Sequence, residues 1–542
     1  MKDTPEKQRI IIHVNFYQII LKSSSLTGGI YLYAKVISCS LKGIESEVTI
    51  VEVDLTNSIP AFHIVGLPDI EVKESKERVR SAVINTGYKF PSKRITINLS
   101  PAHTKKEGTH FDLPMAVGVM TALEYIDNSC VQEYAIIGEL SLDGKINRIN
   151  GALPLIIGLR NQGKKKVILP KSNVSEASII DDLIIYPFEH LKEVVDFLKT
   201  PDSVEPFIEA KIKKCTKEKG KEEDFSEVAG QDTVKRALQI AAAGAHNIMM
   251  IGPPGAGKTM LARRIPSILP EMSYEEKLEV TKIYSVAGKL TEQKALITER
   301  PFRAPHHTIS PVAMVGGGRI PRPGEVSLAH YGVLFLDELP EFNRNVLEML
   351  RQPMEDELVS ISRVNASFTF PCKFIFAASM NPCPCGYYGD PTHECSCSIG
   401  QITKYMAKIS GPLMDRIDMH IEVFPVKYDA LSSNVCHKSS YEMRIEVENA
   451  RKLQVERYKK DKILYNSQLR PVQIKKYCNL EFESTKLLES AFKKLSLSAR
   501  AYNRIIKLSR TIADISCSKD IKQEHVAEAI QYRSLDKKFR GL

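Results

Sequence analysis

The sequence predicts an α/β protein built in several parts, on three observations. Its first third is rich in strand patterns, a phosphate-binding loop follows an apolar strand near the middle, and apolar residues recur at helical spacing towards the C-terminus. At 542 residues the chain exceeds the ~250–300 at which one core stops growing, so roughly two to four domains are expected. With 43% hydrophobic and 26% charged residues, its composition is that of an ordinary globular protein.

Residues 1–32 read as an N-terminal extension. Lys7 and Arg9 precede the apolar run Ile10 to Leu21, which loosely imitates a secretion signal, but His13, Asn15 and Gln18 interrupt it and no small-residue cleavage site follows. Residues 33–200 read as one α/β domain: Val48 to Val53 and Arg94 to Leu99 alternate or carry β-branched residues, with helical stretches near 71–86 and 112–125. Residues 201–224 hold thirteen charged residues and two prolines, the composition of a linker. The core is expected over 225–426. There a helix through Thr233 to Ala245 leads into a strand at Asn247 to Ile251, and the apolar runs Val333 to Leu336 and Phe374 to Ala378 suit strands buried on both faces of a parallel sheet. Val359 to Phe370 reads as a β-hairpin. In 427–542, Leu487, Ala491 and Leu495, then Ile505, Ile506, Leu508 and Ile512, mark a helical module. No stretch approaches the ~20 apolar residues of a membrane span.

Gly252-Pro253-Pro254-Gly255-Ala256-Gly257-Lys258-Thr259 is a complete phosphate-binding loop. Its glycines let backbone N–H groups close around phosphates, Lys258 neutralises the β and γ charge, and Thr259 offers its hydroxyl to Mg²⁺. Val333 to Leu336 ends in Asp337-Glu338, which puts Asp337 at the metal and Glu338 beside the water that attacks the γ-phosphate. A core strand ending in a solvated turn is the bland alternative for the acids, and the two motifs in this order argue against it. Hydrolysis of ATP with Mg²⁺ is the expected chemistry, and the cytoplasm, where ATP is, the expected location. The net charge of +10 fits either a polyanionic partner or a solvated basic surface.

Several longer segments carry a family resemblance. They are Val65-Gly66-Leu67-Pro68-Asp69, Lys105-Lys106-Glu107-Gly108, Phe111-Asp112-Leu113-Pro114, Ala304-Pro305-His306-His307-Thr308, Asn381-Pro382-Cys383-Pro384-Cys385-Gly386 and Ser410 to Asp418. Over about residues 33–540 the chain resembles the magnesium-chelatase-like AAA+ proteins called YifB or ComM. That resemblance implies a Lon-protease-like N-terminal α/β domain, an AAA+ core with a parallel sheet, and a C-terminal helical lid of the magnesium-chelatase type. It also implies a homo-hexameric ring ATPase whose partner is single-stranded or branched DNA. The ComM members are helicases that drive branch migration as single-stranded DNA integrates during transformation.

The resemblance also implies residue roles. Asn381 stands where AAA+ proteins place sensor 1, which orients the attacking water with Glu338; a turn-forming Asn before Pro382 is the alternative. Arg416 resembles the arginine finger that reaches the γ-phosphate of a neighbouring subunit, against a structural ion pair with Asp415 or Asp418. Arg500 looks like sensor 2, with Arg504 one turn later as the other candidate. Phe302 to His330, containing Arg303, Arg319 and Arg322, matches the helix insertion of the chelatase and replicative-helicase clade. Together with the hairpin, it could bring Arg319 or Arg363 to DNA phosphates, or these loops only pack subunits together. His306 and His307 lack spaced partners and read as loop or interface residues.

Cys383, Cys385, Cys395 and Cys397, with His393 nearby, could enclose a tetrahedral Zn²⁺. The C-x-C spacing demands a tighter turn than C-x₂-C, and reduced structural thiols or redox chemistry are the alternatives. A rival function is a Lon-like Ser–Lys protease, which needs a serine near Gly108 to Leu113 and a lysine near Gly151 to Leu159. Thr109-His110-Phe111-Asp112 and Ala152-Leu153-Pro154-Leu155 stand there instead, leaving Ser100 and Lys105 as a poor substitute, so a noncatalytic domain is expected. A protein remodeller is a further alternative. A magnesium-chelatase motor subunit is disfavoured, because nothing in the sequence supplies a tetrapyrrole pocket.

Overall fold

The computed structural model describes residues 32–207, 223–291, 295–318, 321–363, 366–390, 393–426, 437–495 and 497–535. The extension up to residue 31, the middle of the charged linker and Arg319 lie outside the described residues, as does the side chain of Arg363. Among the described residues no helix is long and apolar enough to cross a membrane.

The N-terminal part is a seven-stranded mixed sheet in the order Ala61–Val65, Arg94–Ser100, Glu45–Thr56, Leu32–Lys42, Tyr134–Ile136, Lys166–Pro170, Ile184–Phe188. The two long strands, Leu32–Lys42 and Glu45–Thr56, pair antiparallel in the middle of the sheet, and the last three strands continue it in parallel from Leu32–Lys42. Strict alternation in Glu45–Thr56 buries Val51 and Val53 on one face. Against that face packs Asp112–Ala122, a helix buried all round because it runs through the middle of the domain. The expected helices near 71–86 and 112–125 are Ile70–Asn85, capped by Asp69, and Asp112–Ala122.

The second sheet has five strands, all parallel, in the order Phe302–Arg303, Val333–Leu336, Ile375–Met380, Ile248–Ile251, Met419–Glu422. Its three central strands are buried on both faces, which is why they read as continuous apolar runs. Asp232–Gly244 leads into Ile248–Ile251, and the phosphate-binding loop leaves the carboxyl end of that strand. Ligands of open parallel sheets bind at this edge. Leu358–Arg363 and Ala366–Pro371 form the expected antiparallel hairpin, projecting outside the five-stranded sheet.

Among the described residues five α-helices follow: Ser440–Tyr458, Pro471–Tyr477, Phe482–Leu495, Ala499–Ile515 and Gln523–Gln531. Their apolar faces share one hydrophobic cluster with Asp232–Gly244, through Met443, Val447, Ile505, Leu508 and Ile512. Buried polar groups fix how the two parts meet. Gln454 Nε2 donates to the Ala243 carbonyl at 3.1 Å, and Ser440 N donates to Asp224 Oδ1 at 3.1 Å.

One helix, Tyr274–Val286, joins the N-terminal sheet domain to the core. Its Ser285 carbonyl accepts from Gly151 N at 3.0 Å, its Ser285 hydroxyl donates to the buried Glu176, and Tyr274 Oη donates to the Ile179 carbonyl at 2.8 Å. On the other side, Tyr284 Oη donates to the Leu328 carbonyl at 3.1 Å, and Glu279 faces His330 at 3.5 Å. The helix thus touches both the N-terminal domain and the end of the 302–330 insertion.

Candidate active site

The loop Gly252 to Thr259 connects Ile248–Ile251 to the helix opening at Lys258. Gly255 and Gly257 take φ of 79° and 85°, left-handed conformations that side chains resist, and so let the loop turn tightly between strand and helix. Lys258 is buried, and its ammonium donates to the Gly252 and Pro253 carbonyls at 2.8 and 2.9 Å and to Asn381 Oδ1 at 3.1 Å. Burial pulls its pKa down, against the raising effect of Asp337 and Glu338.

Thr259 and Asp337 meet across the sheet, Thr259 Oγ1 donating to Asp337 Oδ2 at 2.6 Å. Two hard oxygens in contact beside a phosphate loop are the donor set of Mg²⁺, which takes few protein ligands and completes its shell with phosphate and water. The residues present therefore fit Mg²⁺-ATP. The other Asp337 oxygen accepts from the Ser379 hydroxyl and from Glu338 N at 3.1 Å. Ser379 Oγ is also the acceptor for Glu338 N, at 3.3 Å. Nothing in the sequence reading marked Ser379. Its signal was a hydroxyl in the otherwise apolar strand Ile375–Met380, two residues before Asn381.

Glu338 sits at φ of 53°, a left-handed conformation costly for a side chain of this kind, and it is exposed at the rim of the site. Asn381 reaches Lys258 from the adjacent strand end, so Lys258, Thr259, Asp337, Glu338 and Asn381 converge on one edge of the sheet.

Arg416 lies elsewhere. Its guanidinium pairs with Glu355 and donates to the Arg351 carbonyl at 3.0 Å and the Pro412 carbonyl at 2.9 Å, beside a cleft of about 310 Å³ lined by charged groups. The alternative pairing with Asp415 or Asp418 is not the one formed by this guanidinium. Asp418 pairs instead with Arg504, whose Nη1 also donates to the Arg416 carbonyl at 3.1 Å. Burial would raise the Asp418 pKa, but Arg504, the His246 ring 3.5 Å away and a hydrogen bond from Asn247 N hold it well below the ordinary carboxylate range. Arg504 is thereby engaged in joining the C-terminal helices to the core, whereas Arg500 is exposed at the start of Ala499–Ile515.

In the insertion, Arg303 is held by Glu325 at 2.6 and 2.8 Å, while Arg322 is exposed. The rings of His306 and His307 lie 4.0 Å apart, tilted by 35°, and His306 Nδ1 is 2.9 Å from the Thr308 hydroxyl. Among the described residues only the four cysteines form a cluster with metal-binding geometry. In the N-terminal domain Lys105 pairs with Glu107 at 2.6 Å, and the buried Lys106 donates to the Thr104 carbonyl at 2.8 Å. Both ammonium groups are thus occupied by partners other than Ser100.

Three family descriptions match the chain: Magnesium chelatase, subunit ChlI, over residues 224–431; Subunit ChlI of Mg-chelatase, over 51–173; and Magnesium chelatase, subunit ChlI C-terminal, over 437–533. Competence protein ComM of Haemophilus influenzae is 43% identical over 505 residues, covering 93% of this chain and 97% of that protein. YifB of Escherichia coli is 41% identical over 497 residues, covering 91% and 96%. Lon protease 2 of Bacillus subtilis shares 32% identity over 152 residues, 26% of this chain and 27% of its own. The likeness to ComM and YifB runs nearly end to end on both sides, and the phosphate loop, acidic pair and helical lid that it spans are assembled as described above. The chain belongs to the ComM/YifB family of magnesium-chelatase-like AAA+ ATPases.

Proposed function

We propose that this ATPase is a homo-hexameric motor that uses Mg²⁺-ATP to move or remodel single-stranded or branched DNA, promoting branch migration. The observation that carries the ATP half is the convergence of Lys258, Thr259, Asp337 and Asn381 on one sheet edge. Bound Mg²⁺ would draw charge from the β and γ phosphates. Lys258 adds a second positive charge from the loop, Thr259 and Asp337 hold the cation, and Ser379 holds Asp337. Glu338, exposed at the rim of the site, takes a proton from the attacking water, with Asn381 orienting that water. Arg416 supplies positive charge to the site of the next subunit after leaving Glu355.

The DNA half is supported by the likeness to a competence protein, the net charge of +10, a hairpin that pairs apart from the five-stranded sheet, and the exposed Arg322 of the insertion. The test is an ATP-dependent branch-migration assay on labelled three-stranded junctions with purified protein. Junction extension and ATPase stimulation by single-stranded DNA are expected, both lost in Glu338→Gln. That variant should still bind ATP while turnover falls about 100-fold. No extension and no gel shift with single-stranded or junction DNA would overturn the DNA assignment, and unchanged turnover would remove the role given to Glu338.

A further inference from the structure

The four cysteines form a closed group next to the phosphate loop. Cys383 Sγ lies 3.2 Å from Cys385 Sγ and 3.7 Å from Cys395 Sγ, Cys385 Sγ lies 3.5 Å from Cys395 Sγ, and all four sulfurs are within 4.8 Å of one another. Four sulfurs at about 2.3 Å from one Zn²⁺ stand about 3.8 Å apart, so little adjustment admits the ion. The tight turn that C-x-C requires is built: Gly386 N donates to the Cys383 carbonyl at 3.0 Å, with Gly386 at φ of 92°. Two backbone N–H groups already point at sulfur, Cys385 N to Cys397 Sγ at 3.4 Å and Gly386 N to Cys383 Sγ at 3.2 Å. Such donors are what a tetrathiolate of net negative charge needs around it. His393 is set apart, against Asp390.

Residues 383–398 contain no Ile, Leu, Val or Met, and no helix or strand lies between Met380 and Ile399 among the described residues. A segment with no aliphatic core is held by cross-links or metal. Its position makes that consequential. Asn381, two residues before the first cysteine, bonds Lys258, and a Cβ on Gly386 would lie 2.7 Å from Pro254 Cδ, so the cysteine turn is seated on the phosphate loop.

We propose that Cys383, Cys385, Cys395 and Cys397 bind one Zn²⁺ as thiolates, and that this metal clamps the cysteine turn against Pro254, setting the positions of Asn381 and the phosphate loop. Each ligating thiol gives its proton to solvent on binding, and no electron changes hands. The four cysteines are positioning residues, whose effect passes through Asn381 and Pro254. The coupling rests on the phosphate loop being the ATP site, whereas the metal site does not.

The test uses the full chain, purified without chelator. Elemental analysis should find about one zinc per chain, retained in His393→Ala and lost when Cys395 and Cys397 are both replaced by serine. In that metal-free double variant, hydrogen exchange should rise in the amides of 252–259 and 381–386 and stay unchanged in the strands of the N-terminal sheet, while turnover falls about 100-fold. A wild-type protein with no zinc that also takes up no Co²⁺ with thiolate charge-transfer absorption overturns the metal site. Unchanged exchange at 252–259 in the metal-free variant overturns the clamp. A zinc-loaded chain that hydrolyses no ATP would instead remove the motor function and leave the metal assignment standing.

Discussion

Ser379 does at residue scale what the motif residues cannot do alone. Its hydroxyl holds one oxygen of Asp337 while Thr259 holds the other, fixing the carboxylate in the plane that a cation would meet. Ser379→Ala should therefore leave the fold intact and weaken Mg²⁺ about tenfold, the usual cost of losing an outer-shell partner. A titration of ATPase rate against Mg²⁺ at saturating ATP reads it, and an unshifted midpoint would deny Ser379 that role. Lys258, Thr259, Asp337 and Glu338 were legible because a phosphate loop and an acid-tipped strand constrain both residue type and spacing. Ser379 was not, since one hydroxyl in an apolar run carries no spacing signal until the two strands lie side by side. The same holds for Arg500 and Arg504: both sit on one lid helix, and only the approach of Asp418 separates a joint-forming arginine from an exposed one.

At the scale of elements, the lid is fastened to the core through the segment just before Met419–Glu422. Arg504 reaches Asp418 and the Arg416 carbonyl, and the buried Arg533 donates to the Ile417 carbonyl. Any shift of the lid helices thus pulls on the backbone that carries the Arg416 side chain. Asp418→Asn leaves Arg504 without its counter-charge and should cost about 3–5 kcal/mol, read as a lowered midpoint in chemical denaturation. Because the folded-state pKa of Asp418 is depressed, its contribution is present above the ordinary carboxylate range, about pH 4, and is lost as pH falls towards the folded value. Acid should therefore narrow the gap between wild type and Asp418→Asn; a constant gap from pH 7 downwards would contradict this. A second joint ties lid to hairpin: Gln468 Nε2 donates to Glu357 at 2.7 and 3.0 Å, immediately before Leu358–Arg363 begins.

For the whole molecule, the helix Tyr274–Val286 connects the N-terminal domain with the insertion, and the lid connects with the hairpin, so both excursions expected to meet DNA are tied to other parts of the chain. Within one chain Arg416 pairs with Glu355, away from the Lys258 and Asp337 group that its own subunit provides. Turnover per chain should then rise with protein concentration as rings form. Arg416→Ala should lower the assembled rate about 10³-fold with nucleotide binding unchanged; a rate independent of concentration, or a variant of full activity, would argue for a site complete in one chain. The sequence by itself determined the α/β class, the parallel core strands, the hairpin, the helical lid and the phosphate-loop residues, because burial periodicity and motif spacing are local properties of a chain. Only the tertiary structure decided which arginine joins lid to core, that Ser379 holds Asp337, and that the cysteine turn rests on Pro254. Those are contacts between residues tens to hundreds of positions apart, and they exist only once the strands and helices have packed.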